Sequence, residues 1–273
     1  CPEKKLDIVW VVDNSGSIDQ NGAEGSDELD LLLLNVHEAY TFTNTNTRFA
    51  GFRFTNSIVG VSGTVSSANP FGSGSTGATG SPFFFNDAAA TTENDWDDFA
   101  GSNDGNGFTN TPQALQAANY ILGLSVADGG PRSDAIKVVV LLTDGNPNRY
   151  WGTECNEITE ITDPGTNENN RGTEDVACTE YQALRLVNDL DAYLVVVRIG
   201  NNLDSNFLEY CLRQNEDPPN DQPLSIQQIQ TNFANLQNAI DEIVQATCID
   251  DAHRTPLEVT YNTQNAHCKA YDD

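Results

Sequence analysis

The chain has 273 residues, 38% of them hydrophobic, and its 40 acidic and 13 basic side chains give a formal net charge of −27. A negatively charged surface repels nucleic acid and anionic membranes, so neither is expected as a partner. Cations or a high-salt environment are more compatible with such a surface. The alternative is that the acidic residues serve solubility alone. The apolar fraction is enough for a packed core, no apolar run has membrane-spanning length, and the length favours one large domain with a small appendage.

Four segments are predicted as β-strands. Three are near-continuous apolar runs rich in Val and Ile, which is typical of parallel strands buried on both faces. The fourth, TRFAGFRFTN at 47–56, alternates more and is expected nearer an edge of the sheet. The three buried runs are LDIVWVVD (6–13), AIKVVVLLTDG (135–145) and AYLVVVRIG (192–200).

Helical patterns with a period of about 3.6 residues lie between and after these strands. They cover 27–40, 111–122, 175–190 and 231–244. In the second pattern we expect Thr111 as the N-cap and Pro112 at the first helical position. Strands that alternate with helices indicate right-handed βαβ units, so the predicted fold class is α/β, with a doubly wound, mostly parallel central sheet flanked by helices, Rossmann-like.

Two regions interrupt this alternation. Residues 62–106 are rich in Gly and Ser and are too long for a plain connector, so we interpret them as an insertion that is either ordered and functional or flexible. Its PFFF patch (82–85) either packs onto the body, which we favour, or offers an apolar contact to a partner or sister subunit. Residues 249–273 form a C-terminal extension after a main domain at 1–248, and PLEVTYN (256–262) could add one strand.

The acid-rich segment DWDDFAGSNDGNG (95–107) could hold a second calcium ion. It lacks the regular ligand spacing of a calcium-binding loop, so we favour a solvated loop.

The six cysteines favour three disulfides over buried free thiols. No C-x-x-C occurs, so neither zinc nor redox-motif spacing is present. Three disulfides indicate an oxidising compartment. Six cysteines allow about 15 pairings. Our preferred pairing is Cys1–Cys248, Cys155–Cys178 and Cys211–Cys268.

Oxygen-bearing side chains gather where the predicted strands end. Asp13 closes the first strand and Asp144 closes the strand that begins near residue 135, while Ser15 and Ser17 follow in the first loop and Thr109 precedes the second helix. In an open parallel sheet such positions meet at one crevice, where the strand order reverses. Two carboxylates and three hydroxyls are hard donors, which suit Mg²⁺, Ca²⁺ or Mn²⁺ rather than zinc or copper.

Three motifs resemble those of von Willebrand factor type A domains, the fold shared with integrin inserted domains. DIVWVVDNSGSI (7–18) resembles the D-x-S-x-S opening of that family, GFTNTPQAL (107–115) resembles its second loop, whose threonine binds the metal, and VVVLLTDG (138–145) resembles its strand-ending T-D-G. Their order and spacing agree, and the resemblance covers about residues 5–248.

The resemblance implies a metal-ion-dependent adhesion site formed by Asp13, Ser15, Ser17, Thr109 and Asp144. Thr109 is the first threonine of TNT and matches the family's ligand position. The chain departs from the family in two places: the loop 62–106 is longer than usual, and the strand that should precede the last helix is hard to place near QPLSIQ (222–227).

The sequence gives less support to other roles for these residues than to metal binding. Asp13 could merely cap the adjacent turn, since Asn14 and Gly16 are turn residues. A phosphotransferase would need a second acid where Ser15 stands, and neither a Gly-x-Ser-x-Gly elbow nor a glycine-rich phosphate loop occurs. The three histidines, His37, His253 and His267, are scattered along the sequence and are expected to be structural or solvated rather than catalytic. Together these observations predict no enzymatic activity.

A cation held by few charged ligands stays electrophilic, so a partner's Asp or Glu carboxylate could complete its coordination. We therefore expect a secreted or cell-surface adhesion module that binds a protein or glycan ligand through a divalent cation, with Mg²⁺ favoured over Ca²⁺ or Mn²⁺. One alternative is a structural subunit of an extracellular filament or cell-surface assembly, which would self-assemble through the insertion and the tail. Another is an intracellular chelatase-type or ATPase-associated domain, which intact disulfides would dismiss.

Overall fold

A computed structural model describes residues 5–20, 23–40, 46–59, 61–62, 70–71, 74–75, 82–85, 96, 99, 107–145, 147–148, 173–200 and 226–247. The strands in these ranges are β1 (Leu6–Asp13), β2 (Thr47–Phe54), β3 (Val61–Ser62), β4 (Gly74–Ser75), β5 (Ile136–Thr143), β6 (Ala192–Ile199) and β7 (Ile226–Thr231). The short strands β3 and β4 pair with each other in antiparallel orientation, and the other five form one parallel sheet.

The strand order in the large sheet, β2-β1-β5-β6-β7, places β1 between β2 and β5. After β1 the chain moves to one side to form β2 and then returns to the other side of β1 to form β5. The order therefore reverses at β1, and a crevice opens at the carboxyl ends of β1 and β5. The register brings these ends level, because Asp13 lies opposite Phe54 of β2 and Val12 lies opposite Leu142 of β5.

Helices cover both faces of the sheet. They are α1 (Gly16–Gln20), α2 (Ala23–Tyr40), α3 (Thr111–Gly123), α4 (Thr173–Asn188) and α5 (Ile240–Thr247), with 3-10 turns at Val126–Asp128 and Phe233–Ala239. Alternate residues of β1 enter two separate cores: Trp10 packs with α2 and α5 on one face, and Val11 packs with α3 and α4 on the other. The fold is therefore α/β and doubly wound, as the sequence predicts.

The strand that is hard to place near residues 222–227 is β7, at Ile226–Thr231. Its two buried isoleucines lie three positions apart, so they face opposite cores, Ile226 with α3 and α4 and Ile229 with α2 and α5. With one apolar residue for each face, the segment lacks the alternation that identifies a strand. The prediction that 47–56 lies near an edge is confirmed, because β2 is the terminal strand of the five.

Two predictions about helix boundaries are wrong. The segment 231–244 is not one helix: β7 continues to Thr231, a 3-10 turn follows at Phe233–Ala239, and α5 begins at Ile240. The N-cap of α3 is Asn110 rather than Thr111, because the Asn110 side chain accepts a hydrogen bond of 3.1 Å from the backbone N–H of Gln113.

The aromatic residues that the structure describes in the long insertion pack against the body. Phe83 forms an antiparallel bridge with Gly51 of β2, with N–H···O distances of 3.0 and 3.1 Å in the two directions. The indole of Trp96 donates a hydrogen bond of 2.9 Å to the backbone oxygen of Leu33 in α2. Phe83 and Phe85 are buried, which confirms that PFFF packs onto the domain.

Gly51 leaves room for aromatic rings where the insertion crosses β2. A Cβ at this position would lie 3.0 and 3.1 Å from ring carbons of Phe83 and 3.1 Å from the ring of Phe99. The small residue therefore lets two aromatic rings of the insertion approach the strand.

The amino end of β1 is fixed by a buried ionic cluster. The carboxylate of Asp7, which is fully buried, accepts hydrogen bonds from the guanidinium groups of Arg48 (2.6 and 3.0 Å) and Arg132 (2.7 and 3.0 Å). This cluster lies at the opposite end of β1 from the crevice.

Several predictions fall outside the described residues. These include the added strand at 256–262, the proposed calcium segment 95–107 apart from Trp96, Phe99 and Gly107, and five of the six cysteines. Cys178 in α4 is disulfide-bonded, but its partner is not among the described residues, so the pairing scheme stays a prediction. Among the helices described, none is both long and apolar enough to cross a membrane.

Candidate metal centre

The residues predicted as ligands lie together at the crevice, joined by a chain of hydroxyl groups. The Thr109 hydroxyl donates to Oγ of Ser15 at 3.0 Å, Oγ of Ser15 lies 2.9 Å from Oγ of Ser17, and the Ser17 hydroxyl donates to Oδ1 of Asp144 at 2.6 Å. Two of these contacts join residues far apart in the sequence: Thr109 and Ser15 are 94 positions apart, and Ser17 and Asp144 are 127 positions apart.

Asp13 is held from two directions. It is fully buried, its Oδ1 accepts the backbone N–H of Ser15 at 2.8 Å, and its Oδ2 accepts the hydroxyl of Thr143 at 2.6 Å. Thr143 is the last residue of β5 and the threonine of the T-D-G motif, but the sequence analysis does not predict it as a site residue. The signal for it is its place in that motif, directly before Asp144.

The two carboxyl groups share an environment that opposes their ionisation. Burial, with the nearby charge of Asp144 as a second cause, raises the pKa of Asp13 from 3.8 to about 7. Burial also raises the pKa of Asp144 to about 6, although the hydrogen bond from Ser17 opposes this shift. A cation between the two groups would offset both the desolvation and the repulsion, so the electrostatics fit a bound metal ion.

The loop that carries Thr109 is anchored on both sides of that residue. Toward β2, the backbone N–H of Phe108 donates to Oδ1 of Asn56 at 2.6 Å, and the N–H of Asn110 donates to the backbone oxygen of Thr55 at 3.0 Å. Toward β5, the N–H of Thr109 donates to Oδ1 of Asn148 at 2.8 Å. Neither Asn56 nor Asn148 was predicted from the sequence, because an asparagine in a polar loop carries no signal of a distant backbone partner.

Glycines allow the loops to meet closely. The N–H of Gly16 donates to the backbone oxygen of Gly107 at 3.0 Å, and Gly107 has a φ of 92°, a conformation that favours glycine. A Cβ on Gly145 would lie 3.1 Å from the Thr109 hydroxyl oxygen and 3.4 Å from that of Ser17. The residue after Asp144 therefore has to be small for the hydroxyls to keep these positions.

The donor set is suited to a hard cation. It combines two carboxylates with three neutral hydroxyls, which are the oxygen ligands that Mg²⁺, Mn²⁺ and Ca²⁺ accept. In the part of the chain that the structure describes, no group of three or more His, Cys, Asp or Glu side chains is placed to hold a metal ion. The geometry thus brings the five predicted residues together, and their role as ligands stays a prediction.

The sequence matches no family model and no curated protein, but solved structures share its fold. Proximal thread matrix protein 1 from the mussel byssus, with a zinc-occupied MIDAS motif, has a TM-score of 0.58 at 17% identity, over 90% of this chain and 48% of that one. Manganese-loaded TRAP from Plasmodium vivax has a TM-score of 0.51 at 15% identity, over 89% of this chain and 75% of that one. The vWF domain of the type V pili tip protein Mfa5 from Porphyromonas gingivalis has a TM-score of 0.54 at 11% identity, over 89% of this chain and 94% of that one.

The chain spans about half the length of the thread matrix protein. Identities of 11 to 17% in these three structures are evidence for a shared fold and not for a shared ligand. The likeness extends over about nine-tenths of the chain. The chain therefore has the fold of a von Willebrand factor type A domain.

Proposed function

We propose that the chain is a non-enzymatic adhesion module that works outside the cell or at its surface and binds its ligand through a divalent cation. The cation site comprises Asp13, Ser15, Ser17, Thr109 and Asp144. The observation that carries the proposal is the continuous chain of hydroxyls from Thr109 to Asp144, beside a second buried carboxylate, at the point where the strand order reverses.

Each residue has a distinct part in this proposal. Asp13 and Asp144 supply the negative charge that attracts the cation, and the backbone of Ser15 with the hydroxyl of Thr143 keeps the Asp13 carboxylate oriented. The three hydroxyls add oxygen donors without adding charge. When bound, a divalent ion would supply an electrophile at the crevice that can accept a carboxylate oxygen from a protein or glycan ligand.

Mg²⁺ is our preferred ion, with Mn²⁺ and Ca²⁺ as alternatives. Mg²⁺ is commonly bound by one or two carboxylates, with the remaining positions filled by neutral oxygens, and this composition matches the site. The zinc and manganese named for the thread matrix protein and for TRAP belong to those proteins, and they support a divalent ion in general.

Isothermal titration calorimetry with Mg²⁺, Mn²⁺ and Ca²⁺ tests the site directly. We expect Asp144→Asn to weaken binding by at least about tenfold. The matched control is Asp134→Asn, because Asp134 lies just before β5, is exposed and pairs with Lys5 at the other end of the strand. The control should bind like the wild type, and equal binding by all three proteins would refute the site.

Ligand recognition is tested by screening protein and glycan arrays with and without chelator. Binding that requires the cation should disappear with chelator and with Asp13→Ala. Binding that persists under both conditions would show that recognition does not use the cation.

A second candidate function is a structural subunit of an extracellular filament or surface assembly. The likeness to a thread matrix protein and to a pili tip protein favours it. Light scattering after size exclusion, together with electron microscopy at native ionic strength, separates the two functions. Polymers favour the structural role, and a monodisperse monomer favours the adhesion module.

A further inference from the structure

We propose that Asn148 is a positioning residue that sets the place of Thr109 in the metal site. This inference rests on the proposed function, because it concerns the same five ligands. The metal affinity of the site then depends on a side chain that is not itself a ligand.

Asn148 holds the backbone of Thr109 at two points. The N–H of Thr109 donates to the side-chain oxygen of Asn148 at 2.8 Å, and the N–H of Asn148 donates to the backbone oxygen of Thr109 at 3.1 Å. Both backbone polar groups of Thr109 are thus bonded to one residue, 39 positions later in the sequence. With the backbone fixed in this way, the Thr109 side chain has little freedom beyond its own rotamer, and its hydroxyl is directed to Ser15.

The position of Asn148 explains why this contact matters for the metal site. Asn148 follows Asp144 by four residues, so the segment that supplies the second carboxylate also holds the threonine. On the other side, Thr55 and Asn56 hold only the residues that flank Thr109. Among the residues that the structure describes, Asn148 is thus the one whose side chain is hydrogen-bonded directly to the backbone of Thr109.

The chemistry of the contact makes the proposal specific. The side-chain oxygen of Asn148 must accept a hydrogen bond, and aspartate has an acceptor oxygen at the same reach, whereas alanine has none. Asn148→Ala should therefore release the Thr109 N–H while leaving all five ligands in the chain, and Asn148→Asp should keep Thr109 in place.

A double-mutant cycle tests this proposal by Mn²⁺ titration calorimetry on the wild type, Asn148→Ala, Thr109→Val and the double variant. We expect each single variant to bind Mn²⁺ about tenfold more weakly. If Asn148 acts through Thr109, the double variant should bind no more weakly than Thr109→Val alone, since there is no hydroxyl left to position. Losses that multiply to about 100-fold would overturn the proposal, because Asn148 would then act independently of Thr109.

Controls separate positioning from stability. Asn148→Asp should restore tight binding, and a failure to restore it counts against the proposal. Asn232→Ala is a matched variant, because Asn232 also accepts a backbone N–H, that of Asn235 at 3.0 Å, after β7. It should leave the Mn²⁺ affinity unchanged. If Asn148→Ala does not fold, Asn148→Leu, which is close to asparagine in shape and has no acceptor oxygen, replaces it in the cycle with the same expected results.

The experiment also distinguishes this proposal from the proposed function. A wild-type protein that binds Mn²⁺, with Asn148→Ala binding equally well, overturns the role of Asn148 alone. A wild-type protein that does not bind Mn²⁺ overturns the metal site and this inference with it.

Discussion

The hydroxyl of Thr143 donates a hydrogen bond of 2.6 Å to Oδ2 of Asp13, a residue 130 positions earlier in the chain. This bond joins the carboxyl ends of β1 and β5, where the two carboxylates of the proposed metal site lie. Because Oδ1 of Asp13 accepts the backbone N–H of Ser15, each oxygen of the buried carboxylate has a donor. The carboxylate is therefore oriented by the protein alone.

Replacing Thr143 should weaken this orientation. Thr143→Val keeps the shape of the side chain and removes the hydroxyl, so we expect about 1 kcal/mol less stability and about tenfold weaker Mn²⁺ binding. Thr143→Ser keeps the hydroxyl and serves as the control. Urea unfolding and calorimetry measure the two effects, and wild-type affinity in Thr143→Val would show that the bond does not support the site.

The stability of the metal-free protein should depend on pH through the two carboxyl groups. The folded-state pKa of Asp13 is about 7 and that of Asp144 about 6, both above the ordinary 3.8. The folded protein therefore keeps protons that the unfolded chain has lost, so this contribution to stability is fully present below pH 3.8 and is lost as the pH rises through about 6 and then about 7.

Urea unfolding in EDTA between about pH 4 and about pH 8 measures this dependence. The wild type should lose stability toward high pH more steeply than Asp13→Asn, which removes one of the two titrating groups. The background effect of the large negative net charge, −27 in the wild type, is nearly the same in both proteins. Saturating Mn²⁺ should stabilise the wild type increasingly as the pH rises, because the ligands must be deprotonated. Parallel profiles for the two proteins in EDTA would contradict the assignment.

Gly145 offers a test of crowding at the site. Gly145→Ala adds a Cβ 3.1 Å from the Thr109 hydroxyl oxygen, so the hydroxyls must shift, and we expect about tenfold weaker Mn²⁺ binding. Gly123→Ala is the matched control, because a Cβ there meets nothing within 4 Å and alanine is the better helix former. Calorimetry should find the control unchanged. Wild-type affinity in Gly145→Ala would show that the site tolerates the added methyl group.

The buried cluster at the amino end of β1 should govern stability and not metal binding. Asp7→Ala leaves Arg48 and Arg132 without their shared carboxylate, and loss of one partner of a buried ion pair costs about 3–5 kcal/mol. Urea unfolding should detect this loss, whereas the exposed pair of Lys5 and Asp134 should contribute little when Asp134 is replaced. Any Asp7→Ala protein that remains folded should bind Mn²⁺ normally, and a small stability change would contradict the structural role.

The parts of the fold that could be predicted from the sequence are those with a strong apolar pattern. β1, β5 and β6 are buried on both faces, so their Val-rich runs identify them within about two residues. β7 has one buried residue for each face, so the sequence gives no clear strand pattern there. The 3-10 turn at Phe233–Ala239 has the same three-residue apolar spacing as a helix, so the sequence predicts one long helix where the structure has a turn.

The site could be predicted to the extent that its residues lie in local motifs. Asp13, Ser15 and Ser17 form one short motif, and Thr109 and Asp144 each lie in another. The contacts of Thr143 and Asn148 could not be predicted, although Thr143 lies in the T-D-G motif, because their partners lie 130 and 39 positions away and are set by the strand order rather than by neighbouring residues.

In the proposed site, five oxygen-bearing side chains from three separate loops hold one hard cation. The most direct measurement is an anomalous difference map from a crystal of the wild-type protein soaked in Mn²⁺. We expect one strong peak bounded by Asp13, Ser15, Ser17, Thr109 and Asp144. A well-ordered crevice with no peak at saturating Mn²⁺, or a peak only at other carboxylates, would contradict it.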